Sequence, residues 1–109
     1  MNTIAVDAMG GDSAPIDIVK GAIKAKEQGV DVVLCGDKNL INPYLENNEI
    51  PVFDFPQVIS MDEDPLKAIR NKKNASIVGC MQLLKDKKVQ AVFSAGSTGA
   101  TLISAISIL

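Results

Sequence analysis

A chain of 109 residues, 47% hydrophobic and 22% charged, has the makeup of one small globular unit and not of a disordered tail. Its formal charge of -2 argues against a general nucleic-acid binder. It has no histidine, which excludes a Ser-His-Asp or Cys-His mechanism and an HExxH zinc site within this stretch. Chemistry must then rest on carboxylates, hydroxyls, lysines and backbone amides, or on a reagent that is itself a nucleophile; no metal and no cofactor is expected. Cys35 and Cys80 lie far apart, form no CxxC pair and read as free thiols of a reducing compartment. The N-terminal residues lack the basic region and apolar run of a signal peptide, so a cytoplasmic location is the expectation.

Thr3-Ile4-Ala5-Val6 reads as a first strand that delivers Asp7 to its carboxyl end. Gly10-Gly11 calls for a turn, Asp12 and Ser13 suit a helix cap, and Pro15 suits the first helical turn. The spacing of Ile16, Val19, Ala22 and Ile23 predicts one buried helix face, with Gly29 as the stop. Asp31 to Gly36 predicts a second strand, 38–48 a helix or irregular stretch limited by Pro43, and Ile50 to Phe55 a third extended segment. After the acidic segment 58–65, Asp64-Pro65 predicts a helix start that leaves Lys67, Arg70 and Lys73 near a common side. That basic group reads either as a solvated helix face or as a hold for phosphate or an acidic partner. An amphipathic helix is predicted over 74–87, with Ile77, Cys80, Met81 and Leu84 as packing residues.

Ala91-Val92-Phe93 predicts a strand buried on both faces that runs into Ser94-Ala95-Gly96-Ser97-Thr98-Gly99 and then a helix. Gly96 and Gly99 would supply backbone freedom and ligand access; Ser94, Ser97, Thr98 and the first helical N–H groups would serve an oxyanion or phosphate. The alternative is a tight connection in which Ser97 or Thr98 only caps the helix. Neither GxGxxG nor GxxxxGK[ST] occurs, so nucleotide binding has little support. Strands alternating with helices predict an α/β fold, an open, mostly parallel sheet with flanking helices, whose ligand sites lie at the carboxyl ends of the strands. The terminal 100–109 run is too short to span a membrane, and its all-round apolar helix predicts that 1–109 begins a longer polypeptide.

Three ordered stretches closely resemble motifs of the PlsX family of acyl-ACP:phosphate acyltransferases: residues 4–15, residues 64–76 and Ser94 to Ala100. Ser97 departs from the asparagine common in that glycine turn, and a histidine expected ahead of the acidic segment is missing after Phe53-Asp54-Phe55. The resemblance implies an isocitrate/isopropylmalate dehydrogenase-like fold, of which residues 1–109 would be the N-terminal portion of a larger two-domain enzyme. It implies attack of inorganic phosphate on the thioester of a long-chain acyl carrier protein, giving acyl phosphate in bacterial phospholipid synthesis. Phosphate is then the nucleophile, which suits a chain without histidine. Under this resemblance Gly10, Gly11, Asp12, Arg70, Ser94, Gly96, Ser97, Thr98 and Gly99 are expected at the phosphate, with Asp7, Lys72 and Lys73 as catalytic candidates. Asp7 or Asp12 would orient the cations or fix the Gly10-Gly11 loop. Acyl carrier protein, a homodimer and peripheral contact with the inner face of the cell membrane are implied partners, and the isolated segment is expected to be inactive. The rival readings are a non-catalytic phosphate- or nucleotide-binding module and a phosphate acetyl- or butyryltransferase that uses coenzyme A.

Overall fold

The computed structural model describes residues 2–60 and 62–109, so Met61 of the acidic segment lies outside the description. The chain runs β1 (Thr3–Asp7), α1 (Ile16–Glu27), β2 (Asp31–Gly36), α2 (Lys38–Ile41), a 3-10 turn (Asn42–Tyr44) and β3 (Val52–Asp54). It continues through α3 (Pro65–Asn71), α4 (Ser76–Lys85), β4 (Ala91–Phe93) and α5 (Thr98–Ile108). The four strands form one parallel sheet in the order β3-β2-β1-β4, an α/β architecture with helices on both faces.

The pleat sorts the side chains. Val6, Val32 and Leu34 point to one face, where they pack with Val19, Ala22 and Ile23 of α1 and with Ile41. Ala5, Val33 and Cys35 point to the other, against Cys80 and Leu83 of α4. A third cluster, built from Ala68, Ile69, Ile77, Met81 and Ala100, joins α3, α4 and α5 beside the sheet. Since β1 alternates in this way, Asp7 falls on the α4 face, one pleat beyond Ala5. Cys35 and Cys80 are free and fully buried. Hydrogen bonding to Cys35 and loss of water push the Cys80 thiol far above its ordinary range, which favours the protonated form.

Helix α1 stops as predicted. Val30 N donates to Ala25 O, Gly29 N donates to Lys26 O, and Gly29 takes a φ of +88° that an L side chain rarely adopts. Its start differs from the prediction. Pro15 occupies the cap position without a side-chain cap, and it is the Ser13 carbonyl, not a side chain of Asp12 or Ser13, that takes the Asp17 N–H. Ile16 lies 39% exposed, outside the buried face.

The basic helix is shorter than predicted. Asn74 N donates to Gln57 Oε1, Gln57 N to Asn74 O and Ser76 N to Gln57 O, so the chain after Asn71 pairs with Gln57. This takes Lys73 off the helix and delays the start of α4 to Ser76. The predicted doubly covered strand at 91–93 is also corrected: β4 is an edge strand, and Phe93 is 54% exposed. Leu102, Ile106 and Leu109 of the terminal run are more than half exposed. Among the described residues no helix is long and apolar enough to cross a membrane.

Candidate functional site

The strand order changes direction between β1 and β4: β2 and β3 build outward on one side of β1, and β4 returns to the other. Ligands in open parallel sheets bind where such a reversal parts the loops at the strands' carboxyl ends. At this point the loop after β1, residues 8–15, meets the loop after β4, residues 94–97.

Asp7 is the pivot. It is 3% exposed, and its Oδ1 accepts from Ser76 Oγ, at the first turn of α4, and from Met9 N at 3.1 Å. Its Oδ2 accepts from Ser94 Oγ at 2.9 Å, and Ser94 Oγ in turn accepts from Gly96 N at 3.1 Å. One carboxyl group thus ties together β1, α4 and the turn after β4. Its position by the N-terminal end of α4 suits a negative group, because the helix dipole is positive there. The only ion pair among the described residues joins Lys72 to Glu63, so Asp7 is held by neutral donors.

The two glycine loops touch backbone to backbone. A Cβ on Gly10 would lie 2.8 Å from Gly96 N and 2.8 Å from Asp7 Oδ2; one on Gly96 would lie 3.1 Å from Gly10 Cα. Gly11, at φ +95°, would put a Cβ 3.0 Å from Ala95 O. The predicted need for backbone freedom at Gly96 and Gly99 is therefore corrected. Neither has a positive φ; Gly96 makes room for Gly10, and Gly99 lies inside α5, where a Cβ would meet Pro65 Cγ at 2.7 Å.

Around Asp7 itself only about 10 Å³ is open, room for one water at most. Two larger clefts flank the Gly96 contact. One, of about 320 Å³, is bounded by Met9, Gly11, Asp12, Ser60, Asp62 and Ser97. The other, of about 400 Å³, is bounded by Ser94, Thr98, Thr101, Leu102 and Ala105. Ser97 caps α5 by accepting from Ala100 N at 3.2 Å, the predicted alternative for this residue, while the side of Thr98 faces solvent.

Among the described residues, no lysine or arginine lines either cleft. Arg70 and Lys73 are exposed. Lys72 instead holds the loop before α3: its Nζ lies 2.7 Å from Glu63 Oε1 and donates to Val58 O at 2.8 Å. The Glu63 carboxylate also accepts from Ser60 N, and Lys72 with Ser60 keeps its pKa below the ordinary range. A depressed carboxyl pKa gives a stabilisation present above the unfolded value and lost as the pH falls through the folded one. A carbon-13 titration of the Glu63 carboxyl should therefore place its midpoint below that of a free glutamate. Lys72→Met should raise the midpoint toward the free value, with the Ser60 N–H still in place, and an unchanged midpoint would remove the Lys72 contact as a cause.

The structure thus gathers Asp7, Gly10, Gly11, Asp12, Ser94, Gly96, Ser97 and Thr98 at one place; Arg70, Lys72 and Lys73 do not line its clefts, but Lys72 bonds the carbonyl of Val58, which borders the cleft beside Gly11 and Ser97. Sequence reasoning missed Ser76 as the partner of Asp7. The only available signal was its place at the end of the 64–76 motif, because the two residues are 69 positions apart.

The chain is similar to several curated proteins. It is 50% identical over 108 residues to the phosphate acyltransferase of Gloeothece citriformis, covering 94% of this chain and 31% of that protein. It is 47% identical over 114 residues to the phosphate acyltransferase of Desulforamulus reducens, covering 100% of this chain and 34% of that protein. The phosphate acyltransferase of Clostridium botulinum is 44% identical over 97% of this chain and 34% of its own length. This chain therefore spans about a third of the length of the curated relatives it matches. The family model described as "Fatty acid synthesis protein" matches residues 2–109. With nearly every residue matched, the chain belongs to this family of fatty acid synthesis proteins, the PlsX family whose motifs it carries.

Proposed function

We propose that the polypeptide carrying these residues is a phosphate acyltransferase that converts long-chain acyl carrier protein and inorganic phosphate to acyl phosphate and free carrier. The observation that carries the reading is the meeting of two glycine loops at the reversal of a parallel sheet, in a chain whose close relatives bear the name phosphate acyltransferase. A phosphate oxygen attacks the thioester carbon, a C–O bond forms, the C–S bond breaks, and the carrier thiolate leaves and takes up a proton. Phosphate supplies the nucleophile, so the protein's task is to hold an anion beside the carbonyl and stabilise the oxyanion. The N-terminal end of α5, with Thr98 at its solvent side, is the part of this segment suited to that anion.

In this reading the fold is the N-terminal part of a larger, dehydrogenase-like two-domain enzyme. Arg70 and Lys73 stay available for the acidic carrier or for closure over the site. A homodimer, a cytoplasmic location with peripheral contact at the membrane and a place in phospholipid synthesis complete the proposal. The 109-residue segment alone is expected to be silent, since no cation lines its clefts among the described residues.

The test is phosphate-dependent loss of thioester from a long-chain acyl carrier protein, with acyl phosphate trapped by hydroxylamine. Turnover supports the reading; its absence beside an active control enzyme overturns it, and turnover of coenzyme A thioesters alone moves it to the acetyl- or butyryltransferases. Thr98→Val should raise the KM for phosphate about tenfold, the worth of one good hydrogen bond. An unchanged phosphate dependence would take Thr98 out of the site.

A further inference from the structure

Ser94 has the look of a phosphate ligand: a hydroxyl in a glycine turn at the end of a strand. Its hydrogen bonds say otherwise. A serine hydroxyl has one proton to give. Here that proton goes to Asp7 Oδ2 at 2.9 Å, and a lone pair takes the Gly96 N–H at 3.1 Å. The direction is set from behind. Asp7 Oδ1 is occupied by Ser76 Oγ and Met9 N, which holds the carboxyl plane and leaves Oδ2 to face Ser94. Ser76 is 3% exposed and lines neither of the two large clefts, and its hydroxyl proton goes to Asp7.

We propose that Asp7 and Ser76 are positioning residues that commit the Ser94 hydroxyl to the protein, so that Ser94 holds the Gly96 turn in place and gives no hydrogen bond to substrate. This rests on the phosphate acyltransferase reading for its kinetic consequence. The donors left for the anion are Thr98 and main-chain amides of the turn, and their spacing depends on a linkage that begins on α4. Loss of any member loosens the same turn. The three residues therefore act as a unit, and such units give non-additive effects.

The experiment uses the polypeptide that carries these residues, with Ser76→Ala, Ser94→Ala, Ser94→Thr and the Ser76→Ala/Ser94→Ala pair. Ser76→Ala and Ser94→Ala should each raise the KM for phosphate about tenfold, with kcat nearly unchanged, because ground-state binding is what they weaken. The pair should do no worse than either single variant, and Ser94→Thr, which keeps the hydroxyl, should stay near the parent. Effects that multiply in the pair, or a parental KM in Ser76→Ala, overturn the proposal. Exchange of the Gly96 amide with deuterium is read in parallel and needs no turnover. Faster exchange in Ser76→Ala supports the linkage and parental exchange overturns it. A parent without phosphate-dependent turnover would defeat the acyltransferase reading, and the amide exchange would still decide the linkage.

Discussion

Alanine at position 10 is expected to destabilise the protein by about 3 kcal/mol, the upper part of the range for forcing an atom into packed structure. The new methyl would stand 2.8 Å from Gly96 N, 2.8 Å from Asp7 Oδ2 and 3.0 Å from Gly96 Cα. Two of these three atoms are main chain, so no rotamer change relieves the contact. Either the β4–α5 turn moves away or β1 shifts within the sheet. A fall in the urea midpoint with an unchanged slope would report this as a loss of native stability. Gly21→Ala is the control, since a Cβ there meets nothing within 4 Å and the residue lies inside α1. That change should stabilise by about 0.5–1 kcal/mol, so the two glycines should shift the midpoint in opposite directions. Equal midpoints for Gly10→Ala and the parent would mean that the two loops do not touch.

Removing the Asp7 carboxyl should cost about as much for a different reason. Asp7→Ala leaves Ser76 Oγ and Met9 N without their acceptor, and Ser94 Oγ must find another. An unsatisfied buried donor costs about 1–3 kcal/mol, so a loss of about 3 kcal/mol is expected once Ser94, which is only half-buried, has turned its proton toward water. Adding Ser76→Ala should restore part of that loss, because it removes a stranded donor rather than a contact. Asp12→Ala should change little, as Asp12 is exposed and caps nothing. If the double variant were less stable than Asp7→Ala by the full cost of Ser76→Ala in the parent, Asp7 and Ser76 would be acting independently.

These two expectations divide what was legible in the sequence from what was not. The run from Asp31 to Gly36 reads as a strand with the bounds that it has in the fold. The Gly29 stop and the Ser97 cap are also local: each depends on φ or on a hydroxyl within three residues of the group it serves. Asp7 and the turn from Ser94 to Thr98 could be assigned to strand ends for the same reason, and a parallel sheet brings strand ends together. By contrast, Gln57 closes the turn before α4 and thereby shortens two predicted helices, a contact made across 17 positions.

By itself, then, the sequence determined the alternation of strand and helix, the family and the two loops that carry the glycines. Periodicity, caps and short motifs are properties of neighbouring residues. Only the tertiary structure decided that β4 lies at the edge of the sheet, that Gly10 and Gly96 are glycines because they press on each other, and that Ser76 answers Asp7. It also decided that Lys72 holds Glu63 and the carbonyl of Val58, a residue that borders the cleft beside the glycine turns. These are contacts between residues tens of positions apart, set by which strand lies beside which, and strand order is not written in the local pattern of any one segment.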